Sequence, residues 1–260
     1  MKYITPKVFL VGETKAIPEG LTQFFDHIGV PDWSTDAPTD SEKIIEVMGR
    51  VCYRSFAPGL NPNVTRVREG NDTYIANIIK SEHGSVTEHA SVNFIFADVS
   101  RVFTHELVRH RVGTGMSQES LRYVRLEDLS FWTPSVIAEN EAAMTIFSET
   151  VAYLEEQQKE LGKLFGLDET SDFDFKKKVT SAMRRIAPDG LATSIGWTAN
   201  FRTLRWVIEQ RTSPHAEEEI RLVFGKVAEI AKERYPNLFA DFTSETVDGL
   251  PWYKAGHRKI

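Results

Sequence analysis

The sequence predicts an α/β (α+β) fold in a single domain covering residues 1–260. Three observations carry this. Short runs of alternating or continuous apolar residues at 8–11, 91–99 and 191–200 read as strands. Between them lie longer stretches whose apolar residues recur every three or four positions, the period of a helix with one buried face. No repeat, low-complexity tract or linker divides the chain, and its 41% hydrophobic content is enough for a substantial core.

Val8 to Val11, bounded by Pro6 and Gly12, is the first strand. Residues 18–29 open with Pro-Glu and place Leu21, Phe24, Phe25 and Ile28 at helical spacing. Residues 31–40, rich in Pro, Asp, Ser and Thr, form a loop. Asp40 or Ser41 then caps a helix with Ile44, Ile45, Val47, Met48 and Val51 inside it. Cys52 falls on this helix and reads as a small buried hydrophobe rather than a nucleophile. Residues 58–70 are a second loop. A helix runs from Asp72 through Ile75, Ile78 and Ile79 to Gly84, and Val92, Phe94 and Phe96 then alternate as in a strand. Ser100 caps a helix with Val102, Phe103, Leu107 and Val108. That helix delivers Arg109, His110 and Arg111 at its C-terminal end, where cations complement the helix dipole. Residues 121–133 are extended or irregular. A long helical pattern dense in Glu and Gln covers 136–165, with Val151, Leu154 and Leu161 in its apolar stripe. Further helices follow at 173–186, at 202–209 and, with Pro214 in the first turn, at 214–235.

Acidic residues outnumber basic ones 37 to 31, a net charge of −6. Bulk nucleic acid binding needs a broad basic surface and is not expected. No stretch approaches the ~20 apolar residues of a membrane span, and the N-terminus has no apolar signal core. The chain therefore reads as soluble and cytoplasmic, without a membrane partner. A single cysteine rules out an internal disulfide and any multi-cysteine metal site. His83, Glu88 and His89 lack the HExxH spacing, and no metal is expected.

Against this acidic background the stretch 109–123 stands out: Arg109-His110-Arg111, two glycines at 113 and 115, then Ser117, Gln118, Glu119, Ser120, Arg122 and Tyr123. Its basic residues are arginine or histidine, never lysine. Arginine offers a planar fork of donors that fits phosphates, carboxylates and base edges bidentately. Glycine lets the backbone turn tightly or approach a ligand. An Arg-rich run is often just a solvated helix end, but this one follows the apolar lead-in Val102 to Val108 and runs against the global charge. It reads as a pocket for a polyanionic, hydrogen-bonding small molecule, most naturally a nucleotide.

Arg109-His110-Arg111, eight residues, then Ser120 resembles the signature of flavin-dependent thymidylate synthases, and the continuation through Arg122 and Tyr123 matches too. The resemblance extends from about His83 to Glu219. It implies a mixed β-sheet flanked by helices and the conversion of dUMP to dTMP. FAD would be the cofactor, 5,10-methylenetetrahydrofolate the carbon donor and NADPH the reductant. It also implies a homotetramer with shared active sites. Carried over, His83, Ser85, Arg109, His110, Arg111, Gln118, Asn200 and Arg202 contact FAD, His83 as a ring contact that also faces the folate. Glu106, Arg109, Gln118, Glu119, Ser120, Arg122, Arg184 and Arg211 contact dUMP, with Arg211 as the catalytic cation at the uracil edge. Glu88 and His89 brace their loop. Two positions depart from the family pattern: Glu106 replaces a common glutamine, and Trp206 stands where histidine or asparagine is usual. Another FAD- or nucleotide-binding enzyme on the same scaffold, and a nucleotide or RNA binder without activity, are the alternatives. FAD loading and dTMP formation separate the three.

Overall fold

A computed structural model describes residues 2–122 and 129–258. Tyr123, and with it residues 123–128 of the stretch expected to be irregular, lies outside the described residues. The chain forms two compact units, each assembled from three stretches. The first holds the residues up to Phe9, 95–110 and 116–196; the second holds 10–94, 111–115 and the residues from Trp197 on.

In chain order the elements are β1 (Lys2–Tyr3), β2 (Lys7–Glu13), α1 (Pro18–His27), α2 (Asp40–Tyr53) and α3 (Asn71–Lys80), then a 3-10 turn (Gly84–His89). Next come β3 (Ser91–Ser100), α4 (Arg101–Leu107), β4 (Thr114–Gln118), β5 (Ser130–Phe131), α5 (Ser135–Ala138), α6 (Glu141–Leu164) and α7 (Phe173–Met183). A second 3-10 turn (Arg184–Ile186) precedes β6 (Ala192–Asn200), α8 (Phe201–Thr212), α9 (Glu218–Arg234), β7 (Phe242–Val247) and β8 (Leu250–Ala255). Strands β2, β3, β6 and β4 form a sheet in that order. β1 pairs with β5 in parallel, and β7 with β8 antiparallel. Strand pairs of both senses therefore occur, with helices between them, as the α/β reading requires.

In the first unit, Phe131 is fully buried with Leu121, Leu129, Val151 and Leu191. The expected helix 136–165 is two helices. Asn140 breaks it, its side chain accepting from Ala143 N at 3.1 Å to cap α6. Ser100 caps α4 as expected, accepting from Phe103 N at 3.0 Å, and Phe103 packs edge-on against Phe96.

In the second unit, neighbouring strands run in opposite directions. Thr14 N bonds Ser91 O, and a side chain at Gly12 would meet Asn93. Asn93 bonds Thr198 at 2.6 Å, while Phe201 N bonds Ala90 O. The core of this unit is α8 on α9, with Leu204, Val207, Ile208, Ile220, Val223, Phe224 and Val227 all fully buried. Tyr235 and Phe201 stack edge to face at 4.7 Å.

Helix α2 corrects the sequence reading. Its buried face includes the charged residues Glu42, Glu46 and Arg50, one turn apart, while Val51 is 44% exposed and Cys52 is exposed. The Arg50 guanidinium donates to Glu46 Oε1 at 2.9 and 2.7 Å, to Ser55 O at 2.8 Å and to Arg68 O at 2.9 Å. It also lies 4.3 Å from the centre of the Tyr74 ring. Glu46 Oε2 accepts from Thr35 and Asn71. Glu42 accepts from Asn237 N at 3.0 Å, and burial pushes its carboxyl above the ordinary value despite its hydrogen bonds. The cap is Thr39, not Asp40 or Ser41: its hydroxyl accepts from Glu42 N at 3.2 Å and donates to the Glu42 carboxylate at 2.8 Å. Pro214 lies in the turn before α9, whose cap is Glu217, accepting from Glu219 N at 2.8 Å.

Removing one partner of a buried, hydrogen-bonded ion pair leaves the other uncompensated. Arg50→Ala is expected to lower unfolding stability by about 3–5 kcal/mol, measured by denaturant titration; a loss under 1 kcal/mol would show that the network is not buried in solution.

Candidate functional site

Within the second unit, three segments far apart in sequence meet at the N-terminus of α8. A helix start leaves backbone N–H groups without partners. Asn200 caps this one, its Oδ1 accepting from Thr203 N at 2.9 Å. Asn200 N in turn donates to Gly113 O at 3.0 Å, and the Thr203 hydroxyl donates to Val112 O at 2.8 Å. The strip Arg111 to Gly113 thus lies against the helix head. Gly113 is required there twice over: its φ is +70°, and a Cβ would stand 2.5 Å from both Asn200 Nδ2 and Thr203 Oγ1. The third segment is the 3-10 turn. Glu88 Oε1 meets Arg202 Nη1 at 2.5 Å, with both side chains half exposed. The sequence expectation that Glu88 braces its loop is realised through Arg202.

His83 precedes this turn, and its carbonyl accepts from Val86 N at 3.2 Å. Its ring lies nearly parallel to Tyr53, with centroids 5.9 Å apart and planes at 21°; Tyr53 Oη is 3.3 Å from His83 Nδ1. Ser85 and Arg111 are exposed. Tyr53 did not figure in the sequence reading, because nothing local announces a contact across thirty residues.

Helix α8 also carries Arg211, but not beside Arg202. Nine residues separate them, which is about 14 Å along the axis and half a turn in phase. Arg202, Trp206 and Gln210 form one exposed stripe, and partly buried Arg211 faces the other way. The helix is held by a buried pair that sequence reasoning missed. Arg205 grips Asp241 bidentately at 2.8 and 2.9 Å and also donates to Leu238 O. Burial pushes the Asp241 carboxyl up, but the bonds and charge of Arg205 outweigh it and hold it below the usual range. Next to Arg211, Thr212 Oγ1 accepts from Tyr253 N of β8 at 2.9 Å.

The first unit holds the remaining candidates. After α4 the chain continues in turns: Arg109 N bonds Glu106 O and His110 N bonds Leu107 O. His110 is buried at 8% exposure, Glu106 is half-buried and Arg109 is exposed. Gln118 Nε2 donates to Thr104 Oγ1 at 3.1 Å. Glu119 is clasped to Ser194 both ways, N to O at 2.9 Å and carboxylate to N at 3.2 Å. Ser120 Oγ accepts from Arg122 N at 3.3 Å, an ordinary turn bond that leaves the Arg122 side chain exposed. Gln118, at the end of β4, is thus tied to α4, and Glu119, just beyond it, to β6. Arg184 sits exposed at the start of the second 3-10 turn.

Guanidinium groups and hydroxyls thus gather at a capped helix head, with a glycine that the cap itself requires. A family model described as thymidylate synthase complementing protein matches residues 35–237, which includes every candidate named above. A flavin-dependent thymidylate synthase from Corynebacterium diphtheriae is 36% identical over 225 residues, covering 84% of this chain and 86% of the relative. One from Mycobacterium tuberculosis is 32% identical over 250 residues, covering 91% and 94%. Among solved structures, a UMP/dUMP methylase PolB from Streptomyces cacaoi, bound with 5-Br dUMP, shares the fold. Its TM-score is 0.63 at 14% identity, over 92% of this chain and 96% of that one. The chain belongs to the flavin-dependent thymidylate synthase family.

Gly113→Ala would force a Cβ into the left-handed region, at roughly 1–2 kcal/mol, and into the Asn200 cap. A larger loss than that conformational cost is expected in thermal unfolding. Gly115→Ala, whose Cβ would meet Thr198 at an ordinary 3.7 Å, is expected to be nearly neutral.

Proposed function

We propose that the protein converts dUMP to dTMP, with FAD as cofactor, 5,10-methylenetetrahydrofolate as carbon donor and NADPH as reductant. Beside family membership, one observation carries the reading: His83 to Glu88, Arg111 to Gly113 and Asn200 to Arg202 converge in one unit.

The residues suit a flavin dinucleotide. A pyrophosphate needs cations and N–H donors, and the one carboxylate in this cluster, Glu88, is neutralised by Arg202. Gly113 lets the strip after Arg111 lie directly against the Asn200 cap, which a side chain there would displace. His83, Ser85, Arg109, His110, Arg111, Gln118, Asn200 and Arg202 would hold the cofactor. When bound and reduced by NADPH, the flavin would supply the hydride that completes the methyl group, so the folate would leave as tetrahydrofolate.

The chain's own task is to bind and polarise dUMP. Arg211 is the catalytic cation. A guanidinium at N3 and O2 of uracil favours ring ionisation and polarises the C5=C6 bond, the role of a preorganised charge where negative charge develops. Ser120 and Arg122 hold the nucleotide, with Arg109, Gln118, Glu119 and Arg184. Glu106 would stand with them on the nucleotide, where the neighbouring arginines offset its charge. No protein nucleophile takes part. The phase of α8 supports an active site shared between chains of a homotetramer, because Arg202 and Arg211 of one helix face opposite sides. The family match runs through stretches of both units, which supports treating 1–260 as one functional domain. The setting is cytoplasmic.

Anaerobic incubation with dUMP, methylenetetrahydrofolate and NADPH should yield dTMP. NADPH oxidation without dTMP would point instead to another flavin enzyme on this scaffold. Arg211→Ala is expected to lower the methylation rate about 10²–10³-fold while NADPH-driven reduction of bound FAD continues; wild-type dTMP formation would remove Arg211 from the mechanism. Cys52→Ala is expected to retain turnover, with stability changed by no more than about 0.5 kcal/mol because the side chain is exposed. Inactivity of a folded, FAD-loaded variant would bring back a thiol mechanism.

A further inference from the structure

Tyr53 ends α2 where the backbone is held in an uncommon conformation. The next residue, Arg54, has φ 49° and ψ 40°, a region that residues with a side chain rarely enter. It is kept there from both sides. Ser55 N donates to Arg50 O at 3.1 Å, and the buried Arg50 guanidinium binds Ser55 O at 2.8 Å. Asn61 Nδ2 donates to Tyr53 O at 3.0 Å. Such conformations persist only where the surroundings over-determine them. Here they fix the backbone from which Tyr53 projects; its side chain is 47% exposed and so is not held by core packing.

What that side chain meets is His83, ring on ring, with its hydroxyl 3.3 Å from Nδ1. A neutral imidazole carries one proton, and the bond made by one nitrogen decides which nitrogen holds it. We propose that Tyr53 is a positioning residue for His83: its hydroxyl donates to Nδ1, places the imidazole proton on Nε2, and presents a fixed ring face and a fixed donor to the folate. This rests on the reading of His83 as the ring contact between flavin and folate. The parallel stack fixes the plane of the imidazole, and the hydroxyl fixes its tautomer. Tyr53→Phe removes only the second, and Tyr53→Ala removes both.

The test uses the FAD-loaded full chain labelled with ¹⁵N-histidine. The His83 signals are identified by their loss in His83→Gln, and the KM for methylenetetrahydrofolate is measured alongside. Wild type should show the Nε2–H tautomer. In Tyr53→Phe it should give way to a mixture with Nδ1–H, and the folate KM should rise about 2- to 10-fold, the effect of one lost hydrogen bond, with kcat within about twofold. Tyr53→Ala should raise the folate KM further. A wild-type tautomer in Tyr53→Phe overturns the proposal, as does an altered tautomer with an unchanged folate KM. If Tyr53→Phe shifts the tautomer but the wild-type protein itself makes no dTMP, the pairing of Tyr53 with His83 stands and the functional reading fails.

Discussion

The first turn of α8 has amides that need acceptors, and the second unit is arranged around meeting that need. Asn200 supplies its side chain to Thr203 N, and Val112 and Gly113 supply their carbonyls to the Thr203 hydroxyl and to Asn200 N. None of these bonds is worth more than about 0.5–1.5 kcal/mol net. Together they decide where a strand ends, where a helix begins and where the basic stretch must turn. Gly113 follows as a necessity, since any side chain would occupy the space of the cap. Arg202 then projects from the first turn of the helix, within reach of Glu88. An exposed ion pair of this kind adds little stability. Its effect is to tie the 3-10 turn carrying Ser85 to the same helix head.

A second constraint comes from charge placed where apolar residues are usual. Glu46 and Arg50 are almost wholly buried and share their hydrogen-bonding capacity with Thr35, Asn71 and the carbonyls of Ser55 and Arg68. A buried pair is poor evidence for stability, because desolvation offsets most of its attraction. It does select one arrangement. A guanidinium satisfied by two backbone carbonyls on either side of the 56–67 loop allows that loop few alternatives. The end of α2, and Tyr53 with it, inherits this order.

Much of this was legible in the sequence. Strands β3 and β6 and helices α4 and α8 follow from the apolar period, and the start of α4 from Ser100 as its cap, because burial on one face leaves a direct trace. Of the candidate segments, 83–88, 111–113 and 200–202 meet in the second unit, while Glu106, Arg109, His110, Gln118 to Arg122 and Arg184 lie in the first. Other features left no such trace. The α2 pattern suggested an apolar inner face with Cys52 in it, whereas the buried stripe includes Glu42, Glu46 and Arg50, whose partners come from distant segments. Thr39-Asp40-Ser41-Glu42 has the spacing of a capping box, with Thr39 as the cap, and the neighbouring Asp and Ser residues obscured it. Pro214 invited a helix start four residues early. The β7–β8 hairpin was missed although Asp248-Gly249, both at positive φ, is a strong hairpin turn; β7 is mostly exposed and carries no clean alternation. Tyr53 against His83 and Arg205 against Asp241 are tertiary contacts, and sequence spacing is silent about them.

Helix α8 works as a ruler with a built-in angle. Between Arg202 and Arg211 it sets both a separation and a half-turn of phase, and each residue added or removed would rotate one end against the other by about 100°. No side-chain adjustment recovers a rotation of that size. The identity of the residues between the two arginines is therefore a soft variable, and a tryptophan can stand at 206. Their number is a hard one. Changes in α8 that respect the count retune the surface, whereas a single insertion or deletion would turn one end of the helix away from the partners it now meets.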